Sequence, residues 1–593
     1  VVCRLGSWRI RTDYQLLPAT GQLRRHFEIT WLGENDSKIR EFRQCSPLLA
    51  MAPEAHYTLP SIFPPFGERR AKDFGAGWQP SISSEPYALL AQLDPACSVV
   101  WLSDRSRPDA DASSVFGREQ PGALLVRQSA RIAGHVRPDV AQSVGDFWLW
   151  LQDNDAEIAL RRLHEWYEQC GQVIPPDRPA WVPRVTLYSF HPGINVGNAA
   201  RGWGGFKPST AQISRLAELG CNTLWLLPVE DYSTYHPRDY YKLQEGIGSA
   251  EEYRELVQTA HELDLHVWQD IVPHGGHNDY PRAIEHPEWL LQEEDGSTLD
   301  YWCFDFYWPT WIDYMRGVAD HYVRTFGIDG YRIDACSGSK IMNWNPAIPY
   351  ARASLSQSQG GLAMQRAIRG AVRALQPEGS VLAEVGSTIH GTVSDAVYDF
   401  AMCYGVLPAS KVQPAGDFVR NLRRWLHEQQ QSEVKDLVRL RHIESHDSLR
   451  AEWQYGPEPM RAAMAMSAWI YGIPMVFYEM EDGHSPIFRR IFHLRNSIAE
   501  LHDGTADYLQ PATPDGVFAC LRRHDGKIAI PLINFNARDT QIALRLPTAL
   551  WPDATVGRVQ AWDLWQDQPV AIRRDGDELC AEVVLAPYAF TVL

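Results

Sequence analysis

Arg332 and Asp334 stand two residues apart at the end of GIDGYRID, Gly327 to Asp334. Residues i and i+2 of a β-strand project to the same face, so this spacing sets a guanidinium beside a carboxylate. A neighbouring cation lowers a carboxyl pKa and keeps the group ionised, which suits a nucleophile or a charge stabiliser. Two other apolar runs deliver acids in the same way: VLAEVG carries Glu384, and RHIESHDS carries His446 and Asp447. Glu384 lies among Leu382, Ala383 and Val385. An apolar setting near another carboxylate raises a pKa and holds a proton in place. One ionised acid beside one protonated acid is the equipment for attack on carbon with protonation of the departing group.

Three acids at the ends of three strand-like segments require a fold that brings strand ends together, and a parallel barrel does so at its mouth. After the proline-rich stretch VIPPDRPAWVP, the chain alternates strand with helix. RVTLYSF, NTLWLLPV, HVWQDIVP and GYRIDA read as four strands, and VLAEV, DAVYDFAM, VRLRHI and PMVFYEM complete eight. Between them, STAQISRLAELG reads as a helix starting at Ser209 or Thr210 and stopping at Gly220. SAEEYRELVQTAHELD is opened by Ser249 with Glu252 three residues on, a capping box. The expected fold class is α/β, a closed (β/α)8 TIM barrel over residues 180–503. Residues 1–179 read as an N-terminal β-sandwich domain, with a helical linker at 155–170, that packs on the barrel and walls one side of the cleft. Residues 504–593 read as a C-terminal antiparallel β-sandwich domain.

Taken with Asp270 in QDIVPHGG, the segments around Asp334, Glu384 and Asp447 resemble the four ordered motifs of the α-amylase family of retaining glycoside hydrolases. The resemblance spans the barrel. It implies Asp334 as nucleophile, Glu384 as general acid/base and Asp447 as transition-state stabiliser. Asp270 and Arg332 would form the site floor, His446 would donate to a sugar hydroxyl, and Tyr235 in TYHPRDYY would stack on the sugar. A retaining mechanism places its two working carboxyl groups about 5 to 5.5 Å apart. The expected activity is hydrolysis of α-glucosidic bonds in oligosaccharides or glucans through a covalent glycosyl-enzyme. Transglycosylation by the same three acids is an alternative. A non-catalytic sugar-binding or scaffold relative is an alternative of another class, against which the intact acids speak.

The departures from the family pattern concern the sugar contacts. The first motif normally ends in Asn-His, where this chain has His274-Gly275, so the sugar-contacting histidine is lost or replaced by a shifted His274 or His277. Ser337-Gly338 stands where Lys-His is frequent, and Ser445 where Asn is usual. The inserted segment, residues 275–305, is short for the family. The family's calcium ligands lie mostly in that insertion and cannot be placed here, so no obligatory metal and no cofactor are expected. The insertion ends in YWCFDFYWPTW, seven aromatics in eleven residues, which reads either as hydrophobic core under the following helix or as a sugar-stacking wall that includes Trp308. Trp203, in the glycine-rich HPGINVGNAARGWGGF, reads as a lid or rim residue.

Bulk properties fit a neutral ligand. The net charge of −17 repels nucleic acid and anionic membrane. Ten scattered cysteines form no CxxC pair and favour a reducing compartment. No apolar stretch reaches eighteen residues. A cytoplasmic location is expected, with export left open because no initiator Met precedes Val1. The expected partner is an α-linked oligosaccharide or glucan.

Overall fold

The strand-helix alternation closes into a barrel in the computed structural model. The structure describes the chain apart from residues 19, 44–53, 59–76, 81–86, 95–96, 104–111, 121–122, 131, 153–155, 194–201, 349 and 551–558. Eight parallel strands pair in chain order: β1 (Leu187–Phe190), β2 (Thr223–Leu226), β3 (His266–Ile271), β4 (Gly330–Ile333), β5 (Ser380–Ala383), β6 (Ala396–Tyr398), β7 (Arg439–Arg441) and β8 (Ile473–Phe477). Except for His266, every residue of these strands is buried. That explains their near-continuous apolar runs, since a parallel sheet under helices has no wet face. All eight expected strands are present.

Local signals set most helix ends. Ser249 caps α1 (Ala250–Glu262), accepting from the Glu252 amide while Glu252 reaches back to the Ser249 amide. α2 (Pro309–Phe326) stops at Gly327, φ 76°, a left-handed turn that glycine adopts without a Cβ clash. The helix expected to begin at Ser209 or Thr210 begins earlier. Phe206–Thr210 forms a first short helix after Gly205, Ile213–Leu219 a second, and the Ser209 hydroxyl donates back to the Gly205 carbonyl at 2.7 Å. Tertiary packing overrides the capping signal: the Phe206 ring stacks on Tyr253 of α1 at 4.5 Å and 1°.

The flanking regions are β-rich. Among the described residues, the N-terminal region pairs into a seven-stranded and a four-stranded antiparallel sheet, with a smaller two-stranded one. It is fastened to the loops after β3 and β4: the His135 amide donates to the Ala351 carbonyl, Lys38 to the Glu294 carbonyl, and Arg352 to that of Ser143. The expected linker helix is Ala156–Gln169, docked through the Tyr167 hydroxyl on the Ser432 carbonyl. After the barrel come three three-stranded antiparallel sheets and a two-stranded one. Among the described residues no helix is long and apolar enough to cross a membrane.

Between the barrel wall and α1 sits a carboxyl group with little compensation. Glu230, after β2, accepts from Gln269 Nε2 at 3.0 Å, and Tyr253 donates to Gln269 at 2.7 Å. Oε2 of Glu230 has no hydrogen-bond partner among the described residues, and burial pushes the pKa up to about 7. The folded state therefore holds this proton more tightly than the unfolded chain. The associated stability is complete below about pH 4.5 and is lost as pH rises through about 7. Glu230→Gln keeps the Gln269 contact and removes the titration. Its stability advantage over the wild type should grow by about 2–3 kcal/mol between about pH 5 and pH 8, by urea unfolding followed through tryptophan fluorescence. A gap independent of pH would contradict this.

Candidate active site

The site is assembled around one guanidinium. Asp270 on β3 and Arg332 on β4 are direct partners in the parallel register, which sets their side chains side by side. Arg332 is fully buried, and its Nη1 bonds Asp270 Oδ1 at 2.9 Å and Oδ2 at 3.0 Å. The same nitrogen bonds Asp334 Oδ1, as the i, i+2 spacing requires. Nη2 lies 2.6 Å from Glu384 Oε1, and Nε donates to the Tyr398 hydroxyl at 3.1 Å. The rings of Trp225, Tyr398 and Tyr235 enclose the guanidinium at 5.0, 5.5 and 5.8 Å.

Asp334 and Glu384 each stand one residue beyond a strand end, at the carboxyl-terminal face of the barrel where loop geometry can aim them. Ala335 adopts φ 39°, an uncommon backbone conformation for a residue with a Cβ. Its amide donates to Glu384 Oε2 at 2.7 Å, so the strained residue ties the two acids together.

A second arm runs from Asp270 towards Asp447. The Tyr235 hydroxyl donates to Asp270 Oδ2 at 3.0 Å and lies 2.7 Å from His446 Nε2. A hydroxyl carries one proton, so the proton between Tyr235 and His446 comes from Nε2. Burial lowers the His446 pKa to about 4, which keeps this ring neutral near pH 7. Its Nε2 also lies 3.3 Å from Asp447 Oδ2. Asp447 alone among the acids is open, with 53% of its side chain exposed. Ser445, at the position where the family usually has Asn, accepts from the Asp447 amide at 3.2 Å and shapes that turn.

Charge balance separates Asp334 from Glu384. Ionisation of Asp270, Asp334 and Glu384 together would surround one buried cation with three anions. Burial raises the Asp334 pKa, but Arg332 and His274 outweigh it and hold the group below the usual carboxylate range. Burial also raises Glu384, and there it prevails: Arg332 offsets it in part, while the Asp334 charge pushes it further up. The arrangement pulls the two pKa values apart, Asp334 down and Glu384 up.

His274 Nε2 lies 3.1 Å from Asp334 Oδ2, so the shifted histidine does reach the site, whereas His277 packs on Tyr301 at 5.0 Å. The structure explains two departures from the family motifs. A Cβ on Gly275 would lie 2.6 Å from the Phe304 ring, and one on Gly338 would lie 2.2 Å from the Gln357 carbonyl oxygen. Neither position has room for an imidazole.

Of the two tryptophans expected at the substrate, Trp308 is buried elsewhere and Trp203 lies at the rim of the barrel mouth. Trp308 is 8% exposed and belongs to the hydrophobic core, because the insertion folds back on the barrel; its ring offers no stacking face. Trp203 is half-buried against Phe190 at 4.8 Å and Tyr478 at 5.1 Å, which fixes it on the ends of β1 and β8 instead of leaving it as a lid. Residues 194–201 of its loop lie outside the described residues. Sequence reasoning missed Tyr398 and Trp302. Tyr398, in DAVYDFAM, was read only as part of a strand, and Trp302 as one ring of an aromatic cluster.

Comparison with known proteins agrees with this geometry. Residues 195–308 match the family model for the α-amylase catalytic domain. A cyclomaltodextrinase from a Bacillus species is 21% identical over 434 residues, 60% of this chain and 73% of that protein. Both matches make the chain similar to members of the α-amylase family. A probable oligo-1,6-glucosidase of Bacillus subtilis is 24% identical over 29% of this chain and 38% of its own length. Among solved structures, a maltogenic α-amylase from Thermotoga neapolitana superposes with a TM-score of 0.53 at 18% identity, over 70% of this chain and 99% of that one. An α-amylase from Geobacillus thermoleovorans gives a TM-score of 0.54 at 17% identity, over 69% and 98%. These structural likenesses bear on the fold. No group of three or more His, Cys, Asp and Glu among the described residues is arranged to hold a metal ion.

Removing the guanidinium should be costly, because it leaves buried carboxylates without a counter-charge. Arg332→Leu is expected to destabilise the barrel by about 3–5 kcal/mol in denaturant unfolding. A loss below about 1 kcal/mol would mean that the acids shed their charge freely.

Proposed function

We propose that this protein is a retaining glycoside hydrolase that cleaves α-glucosidic bonds in oligosaccharides or glucans. The observation that carries the reading is the sharing of Arg332 by Asp334 and Glu384, with one acid held ionised and the other protonated. Asp334 attacks the anomeric carbon, and Glu384 gives its proton to the departing oxygen. Glu384 then takes a proton from water as the water displaces Asp334. Asp447, exposed at the mouth, faces the positive charge that develops on the sugar ring. Tyr235, fixed by Asp270 and His446, presents a ring to the sugar beside Arg332. Relatives named cyclomaltodextrinase, oligo-1,6-glucosidase and maltogenic α-amylase support an α-glucan substrate.

Two displacements restore the starting configuration, so proton NMR at early time points should show the α-anomer as first product. An initial β-anomer would rule out Asp334 as nucleophile.

The chain-length preference follows from the leaving-group side. Gly338 leaves no room for the histidine that many relatives carry, and Ser337 replaces the frequent lysine. Less remote binding is then available to accelerate long substrates. Between a two- or three-unit glucoside and a polymer of the same linkage, kcat/KM should rise by less than about tenfold, about 1.4 kcal/mol. Soluble starch cleaved a hundredfold better than every short oligosaccharide would contradict this.

A further inference from the structure

The oxygen of Asp334 that Arg332 leaves open, Oδ2, faces a second nitrogen group. His274 Nε2 lies 3.1 Å from it, and His274 Nδ1 lies 2.5 Å from the Gly275 carbonyl oxygen. A carbonyl only accepts, so Nδ1 carries a proton. A ring protonated there alone would turn a lone pair towards a carboxylate oxygen at 3.1 Å, which is repulsive. The approach is attractive when both nitrogens are protonated. The pair has the distance of an ion pair without an aligned hydrogen bond, since Nε2 makes none.

The imidazole is held from its other side. Trp302 stacks on it at 4.4 Å and 28°, and an indole face favours a cation. Trp302 adopts φ 53°, costly for so bulky a residue and sustained only where the surroundings impose it. Lys340 Nζ lies 5.9 Å from the same indole. The other ionisable groups around the pair are Arg332 on Oδ1, then Asp270, Glu384, and His236 and His277 beside Tyr301. Asp334 thus has the Arg332 guanidinium on one oxygen and the His274 imidazole on the other.

We propose that His274 serves the second displacement by stabilising the Asp334 carboxylate as it leaves the sugar, with Trp302 as the residue that positions it. This rests on Asp334 being the nucleophile. In the first displacement Oδ2 bonds to the anomeric carbon, the bond to the leaving oxygen breaks with its electron pair, and Glu384 supplies that oxygen's proton. The ester oxygen has lost its charge, so His274 gains nothing there, and pairing with the free anion restrains the attack. In the second, the water oxygen bonds to the anomeric carbon, Glu384 takes the proton, and the bond to Oδ2 breaks. Its electron pair returns to Oδ2, beside the waiting cation. His274 therefore favours the two half-reactions unequally.

The test is His274→Gln, which keeps a polar side chain and removes the cation, assayed by stopped flow with 4-nitrophenyl α-glucoside. The variant should release about one equivalent of nitrophenol per active site in a burst, then turn over at least about tenfold more slowly than the wild type. Quenched enzyme should carry a glucosyl adduct on the Asp334 peptide by mass spectrometry. Trp302→Phe, which retains a stacking face, should resemble the wild type. Trp302→Ala should show the burst, and it carries the test should the His274 variant fail to fold by circular dichroism. A rise in KM with unchanged kcat and no burst would overturn the proposal and make His274 a sugar-hydroxyl contact. An equal fall in both half-reactions would overturn it as well. An adduct on a residue other than Asp334 would overturn the nucleophile assignment itself, and this role with it.

Discussion

A guanidinium with no exposure to water must be surrounded by groups that satisfy its charge and its donors, and Arg332 meets that demand with Asp270, Asp334, Glu384 and Tyr398. Those four come from β3, the end of β4, the end of β5 and β6. Burial of one cation therefore fixes the relative positions of side chains on four neighbouring strands. Strand register makes this reproducible, because Asp270 and Arg332 are partners across the β3–β4 ladder. The barrel supplies convergence, and the arginine supplies alignment.

The same constraint sets the charges. Three carboxyl groups and one cation in a dry pocket cannot all ionise cheaply: burial raises Asp270 and Glu384, and Asp334 alone of the three is held low. Asp334 is approached by Arg332 on Oδ1 and by the His274 ring on Oδ2, whereas Glu384 is approached by Arg332 and one amide. The opposite pKa shifts of two chemically similar acids follow from their neighbours. Tyr235 and His446 extend the network to Asp447, which stays open to the mouth.

Much of this was legible in the sequence, for identifiable reasons. Buried parallel strands must be short apolar runs, and all eight could be read as such; the i, i+2 spacing of Arg332 and Asp334 follows from strand geometry alone. Long-range packing was not legible. Trp308 reads as an exposed ring until the insertion is seen folded over it, and Ser209 reads as a helix cap until Phe206 is seen stacked on Tyr253. Gly275 and Gly338 could be noticed as departures from a motif. Their cause, Phe304 in one case and the Gln357 backbone in the other, lies 29 and 19 positions away along the chain. The contact between His274 and Asp334 spans two strands, and no local pattern announces it.

The central claim is that one buried arginine holds Asp334 ionised and Glu384 protonated in the free protein. Infrared difference spectroscopy at neutral pH reads this directly, comparing the wild type with Asp334→Asn and Glu384→Gln. The account predicts that Glu384→Gln loses the carbonyl band of a protonated carboxyl group, whereas Asp334→Asn loses only carboxylate bands. A protonated-carboxyl band lost with Asp334, or none lost with Glu384, would contradict it.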